Sequence, residues 1–190
     1  MYFQQIDKTD ERLIPFIEEC KSRNYNNNMS IKDMKFDYFE HSAFFAGIHD
    51  NKIKTLSGVH NFEFDGGTYW RVAFRAVSLY DSIFKPKLSK NWRIASIHMG
   101  VGITLEMKWV NENFGPAKFI ITSNDYNHSI EQSGSGHGVD KLFKTNNIPG
   151  VSLLYNNITY MNTIQNVWLL DQNKWYDDYD LHYKGKILIK

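Results

Sequence analysis

Apolar and polar positions change period along the chain, and the changes mark out its elements. Tyr2-Phe3-Gln4-Gln5-Ile6 reads as a short first strand. Leu13, Ile14, Phe16, Ile17 and Cys20 then recur at helical spacing, with Asp7 or Thr9 as the cap. Asn24 to Asn28 breaks this helix, and Ser30-Ile31-Lys32-Asp33 opens a second one through Met34, Phe36, Phe39 and Ser42. Ala43 to Ile48 is apolar, His49-Asp50-Asn51-Lys52 is a turn, and Ile53 to Phe64 alternates loosely up to Asp65-Gly66-Gly67, a strong turn signal. Tyr69 to Tyr80 is predicted as a long strand. Trp70, Val72, Phe74, Ala76 and Ser78 would face one way, and Arg71, Ala73, Arg75, Val77 and Leu79 the other. Residues 43–80 therefore predict an antiparallel three-stranded meander.

Ile97 to Phe114 carries two conflicting signals. Ile97, Met99, Val101, Ile103, Leu105, Met107 and Trp109 alternate as in a strand, but the run exceeds the usual upper strand length of ~10 residues. Asn113-Phe114-Gly115-Pro116 has the form of a helix end, with Gly past the last turn and Pro after it. The segment is read as a helix that is apolar on nearly every side, hence deeply packed. Lys118 to Thr122 suits a buried central strand. Residues 123–138 are polar and rich in Gly and Ser, and Val139 to Phe143 forms a short helix. Val151 to Leu170 gives two or more strands around an Asn156-Asn157 turn. Asp171 to Tyr183 reads as an acidic, aromatic segment. Lys186 to Lys190 closes the chain as an edge strand. Neither a repeat nor a long linker interrupts it, so one domain spans 1–190, with 171–190 as an extension.

Composition narrows the class. Of 190 residues 42% are apolar, enough for a core, and the net charge of +1 leaves no broad basic footprint for nucleic acid. The single Cys20 excludes an internal disulfide framework and a Cys-rich zinc module. The N-terminus lacks the basic and apolar regions of a secretory signal, and no apolar run approaches the ~20 residues of a membrane span. A soluble, cytoplasmic protein is expected.

Several chemistries fail on spacing. The seven His residues form no His-Glu-x-x-His pattern. Asp177, Asp178 and Asp180 lack the Gly and terminal Glu of a calcium loop. Gly134-Ser135-Gly136 falls short of a nucleophile elbow. Cys20, on an apolar helical face, reads as a small buried hydrophobe. A phosphate-binding turn is the better candidate. Met99-Gly100-Val101-Gly102 opens the long helix after a loop bearing Lys85, Lys87, Lys90 and Arg93. Glycines there let main-chain N–H groups approach an anion at the positive end of the helix dipole. The bland alternative is close helix–sheet packing.

The order of elements, Gly100-Val101-Gly102 at a helix start and Phe119-Ile120-Ile121-Thr122-Ser123-Asn124 as the next strand together resemble the GNAT superfamily of acyl-CoA-dependent N-acyltransferases. Residues 160–168 are similar to the end of GNAT-like proteins of tailed phages. The resemblance implies an α/β fold, a mixed twisted sheet with helices on both faces, and transfer of an acyl group, foremost acetyl, from acetyl-CoA or another acyl-CoA to a primary amine. It implies a splay between the 69–80 strand and 118–122 that admits the cofactor arm, and cofactor contacts at Val77, Leu79, Arg93, His98, Gly100, Val101, Gly102 and Asn124. The family's basic or amide position in the loop falls on Ile97. Asn124 would order the arm or a water, and Tyr126 lies near a thiolate-protonating position. His60 and Glu63 are the candidate bases, and Arg71 and Arg75 the candidate clamp on the acceptor. The expected partner is an amine-bearing acceptor, with a homodimer as an option, no membrane, and nucleic acid disfavoured. The rival reading is the same fold without catalysis, as a binding or structural module, with exposed Trp and Tyr in 168–183 as its partner surface.

Overall fold

The computed structural model describes residues 1–22, 42–77, 97–124, 140, 143–144, 150–160 and 163–190. The elements in chain order are β1 (Tyr2–Ile6), α1 (Leu13–Ser22), β2 (Ser42–His49), β3 (Lys52–Phe64), β4 (Gly67–Val77), α2 (Ile97–Phe114) and β5 (Phe119–Asn124). β6 (Val151–Tyr160), β7 (Thr163–Leu170), α3 (Gln172–His182) and β8 (Leu188–Ile189) follow. The strands form one sheet in the order β6-β7-β5-β4-β3-β2-β1-β8. β4 with β5 and β1 with β8 are parallel pairs, and the other neighbours are antiparallel. The sheet is mixed, as expected.

Two tight turns build the meander. Asp50 and Asn51 (φ 48° and 56°) join β2 to β3, and Asp65 and Gly66 (φ 48° and 71°) join β3 to β4. Positive φ at both central residues is what a two-residue hairpin needs, and Asp, Asn and Gly tolerate it. The ladder between β3 and β4 shifts between Leu56 and Gly58, where two residues of β4 face Ser57 alone. This bulge interrupts the ladder within the strand expected from Tyr69 onward.

Helices cover both faces. On one, α1 seals Leu13, Phe16 and Ile17 against Phe44, Ala46, Ile48 and Leu56. On the other, α2 lies over β2, β3 and β4, burying Val101, Ile103, Met107 and Val110 completely. The period conflict in 97–114 resolves as a helix because this one is covered on both sides. Sheet lies beneath it and α3 above. It ends at Gly115 (φ 85°), whose N–H donates to the Asn111 carbonyl (3.1 Å).

Two expectations are corrected. Asn156-Asn157 is not a turn, since β6 runs through it with the register to β7 shifting between Tyr155 and Ile158. Asn157 takes φ 52° as a bulge residue and donates its N–H to Asn166 Oδ1 (2.9 Å). Segment 171–183 is not an exposed surface but a capped helix. Asp171 Oδ1 accepts from the N–H groups of Asn173 and Lys174. Trp175, Tyr179 and Tyr183, four apart, are buried in the α2 core, and so is Trp168. The edge strand near the C-terminus is present as β8, beside β1. The second predicted helix (30–42, apart from Ser42), the basic loop 81–96, most of 125–149 and the true β6–β7 connection lie outside the described residues.

Candidate functional site

The parallel pair at the middle of the sheet is short. β4 and β5 pair only at Trp70↔Phe119, Arg71↔Ile120 and Val72↔Ile121. β4 then runs on to Val77 held by β3, and β5 runs on to Asn124 held by β7. Past that rung, among the described residues, β4 has a ladder only to β3 and β5 only to β7, which leaves the facing edge of each without one. Such edges carry main-chain donors and acceptors in need of partners. In α/β sheets the carboxyl ends of parallel strands are where ligands enter.

The positive end of α2 sits over the same end of the sheet. Gly102 packs on Ser57, so closely that a Cβ there would stand 2.6 Å from Ser57 Oγ, and Ser57 faces the bulged part of β4. Gly100 lies against the Tyr183 ring, where a Cβ would meet Cε2 at 3.1 Å. What the structure shows of these glycines is thus close packing, with Val101 fully buried between them. By helix geometry the N–H groups of Ile97, His98 and Met99 have no acceptor within α2. No acidic residue sits in that first turn to offset them.

Where the two strands part, Arg71 spans the gap on the face opposite α2. It donates from Nε and Nη2 to Thr122 Oγ1 (3.0 and 2.7 Å), and its guanidinium lies 5.4 Å from the centre of the Phe62 ring. His60 is the cross-strand partner of Arg71, only 2% exposed, with its ring edge on Phe62. His60 Nδ1 is 2.7 Å from the Asn61 carbonyl. A carbonyl only accepts, so Nδ1 carries the proton, and whenever the ring is neutral its lone pair lies on Nε2. Glu63 lies three residues further along β3, on the opposite face, opposite Thr68 near the turn, and is exposed. The structure thus brings His60, Arg71 and Thr122 together and leaves Glu63 apart.

Val77 lies at the end of β4, His98 in the first turn of α2 and Asn124 at the end of β5, and Arg75 lies within β4. Leu79, Arg93 and Tyr126 lie outside the described residues. Thr122, Ser123 and Asp140, which line or support the β5 wall, escaped the sequence reading, because contacts between residues so far apart in the chain leave no local pattern. Among the described residues no group of three or more His, Cys, Asp or Glu side chains is arranged to hold a metal ion, and no helix is long and apolar enough to cross a membrane.

No protein-family model matches the chain, and no curated protein does. Solved structures do. The aminoglycoside 6'-N-acetyltransferase from Enterococcus faecium superposes with a TM-score of 0.57 at 12% identity, covering 90% of this chain and 96% of that one. FeeM, an N-acyl amino acid synthase from uncultured soil microbes, gives 0.56 at 8%, covering 94% and 99%. An aminoglycoside 6'-N-acetyltransferase complexed with coenzyme A gives 0.53 at 11%, covering 89% and 96%. The architecture is therefore the GNAT fold. At these identities the likeness is one of fold, shared over nearly the whole length of each chain.

Proposed function

We propose that this protein is an acyl-CoA-dependent N-acyltransferase, with acetyl as the foremost acyl group and a primary amine as acceptor. One observation carries the reading. The ladder between β4 and β5 stops at Val72↔Ile121, and both strands run on past it at the end of the sheet where the positive end of α2 lies. Three structures with this fold support it, being acetyltransferases of aminoglycosides, one of them in complex with coenzyme A, and an N-acyl amino acid synthase.

The residues present fit such a cofactor. An extended arm bearing amides needs backbone donors and acceptors at a strand edge, which residues 73–77 of β4 and 122–124 of β5 supply. A diphosphate needs N–H donors and positive potential, which Ile97, His98 and Met99 supply. When bound, the coenzyme brings the acyl group as a thioester open to attack by an amine. The chain's own part is to bind, orient and move protons. His60 Nε2 is the base that takes the proton of the incoming ammonium, directly or through water. Arg71, bridging the strands beside it, orients the acceptor. Asn124, at the end of β5, orders the arm or a water, and Tyr126 is the candidate to return a proton to the departing sulfur. Positioning alone contributes up to ~7–11 kcal/mol to such a transfer, so a moderate base suffices.

Ile97 favours a second reading, a GNAT-fold module that binds without catalysing, because its side chain offers no hydrogen bond to a phosphate. Calorimetry separates the alternatives. Titration with acetyl-CoA is expected to give one site per chain, and a screen of primary amines for thiol release is expected to find turnover. A flat titration at millimolar cofactor overturns the proposal; binding without turnover on any amine leaves the second reading.

A further inference from the structure

We infer that Asp140 is a positioning residue that holds the β5 wall of the cleft in place. The inference rests on the acyltransferase reading above. β5 has β4 as a neighbour only as far as Ile121. Beyond that rung β5 has no described ladder to β4, so the position of residues 122–124 depends on β7 and on whatever grips the strand from the side.

Asp140 supplies that grip. Its Oδ1 accepts from Ser123 Oγ (3.1 Å) and from Asn166 Nδ2 (2.8 Å). Ser123 and Asn166 are register partners on β5 and β7. Trp168 Nε1 donates to the same Ser123 hydroxyl (2.9 Å), and Asn166 Oδ1 takes the N–H of Asn157 at the β6 bulge. One carboxylate therefore ties β5 to β7 and, through Asn166, to β6. Lys144 Nζ stands 3.0 Å from Asp140 Oδ2, one helical turn on. Asp140 and Asn166 are fully buried, and Ser123 is 6% exposed. A carboxylate is placed in such a site at a large desolvation cost, offset only by a full set of donors. An apolar side chain would fill the space with less penalty but would give Ser123 and Asn166 no acceptor to converge on.

The consequence is preorganisation. A wall already fixed does not have to be ordered when the cofactor arm arrives, so affinity depends on Asp140 while the chemistry does not. Asp140→Ala removes the acceptor. Asp140→Asn keeps an oxygen for Ser123 and Asn166 while losing the attraction to Lys144. Ser123→Ala removes a single donor and is the milder probe should the alanine variant at 140 not fold. Each full-length variant is compared with the wild type by thermal melting, acetyl-CoA calorimetry, hydrogen exchange at residues 122–124, and steady-state rates with whichever amine turns over.

Asp140→Ala is expected to speed exchange at 122–124 and raise the cofactor Kd and KM about tenfold, with kcat within about threefold. Asp140→Asn is expected to restore affinity to within about threefold, and Ser123→Ala to fall between. Unchanged affinity in Asp140→Ala, or in Ser123→Ala if the former does not fold, overturns the inference. So does a fall in kcat at unchanged KM, or an asparagine variant as weak as the alanine one. In those cases the wild type still binds acetyl-CoA and the functional reading stands. A wild type that binds none overturns both.

Discussion

Arg12 reaches back to Asp10 with three donors. Its main-chain N–H and Nε meet Oδ1 (3.0 and 2.8 Å), and Nη2 meets Oδ2 (2.6 Å), while Nη1 donates to the Tyr2 hydroxyl. The turn leading into α1 is thus pinned to β1. The side-chain hydrogen bonds from Arg12 hold the Asp10 carboxyl below its ordinary value. A carboxyl with a depressed pKa stabilises the folded chain fully above the unfolded value, ~3.9, and loses that contribution as the pH falls through the folded value. Asp10→Asn, which keeps the capping oxygen but loses the charge facing Arg12, is therefore expected to cost about 0.5 kcal/mol near neutrality and almost nothing in strong acid, a narrowing gap between melting curves as the pH drops. Gly102 gives a second expectation. Alanine there gains up to about 1 kcal/mol of helix propensity but meets Ser57 Oγ, an overpacking cost of about 1–3 kcal/mol. Gly102→Ala should destabilise in the wild-type background and stabilise once Ser57→Ala has removed the oxygen. Additive effects in the double-mutant cycle would contradict the contact. At this scale the sequence was a partial guide. The two hairpin turns were legible because Asp, Asn and Gly accept positive φ. The same tolerance made Asn156-Asn157 look like a turn when it serves a bulge.

Among the elements, α2 was legible from its two ends, a glycine-rich start and a Gly-Pro stop, although its alternation pointed to a strand. A helix buried on every side loses the amphipathic stripe that normally identifies it. α3 failed for the opposite reason. Its outward residues Asp177, Asp178 and Asp180 dominate the composition and mask the inward Trp175 and Tyr179. Trp175 is 4% exposed, and its Nε1 approaches the Gly150 carbonyl (3.4 Å). Trp175→Ala should cost about 3–5 kcal/mol, read by denaturant unfolding as a lower midpoint at an unchanged slope. A loss below 1 kcal/mol would mean that α3 is only loosely docked. The splay between the two central strands followed only from the family resemblance and was not legible in the local pattern. Both strands were found, but the rung at which they separate is decided by the β4 bulge and by contacts reaching residues 140 and 166, which no local period reports.

At the scale of the whole molecule, element order was enough to indicate the fold, because each strand–turn–strand or strand–helix–strand step was marked locally. Strand order was not. β7 lies between β5 and β6, and β8 lies beside β1 at the far edge. The crossing of α3 over α2 delivers the chain to that edge, where the Lys190 N–H donates to the Phe3 carbonyl (2.9 Å). On the ribosome this arrangement sets a schedule. The apolar flank of α2 is made well before Trp175, Tyr179 and Tyr183, the rings that roof it. Until those rings emerge, the nascent chain carries a greasy, half-finished interior, and it is during that interval that chaperone capture or misassociation has its opening.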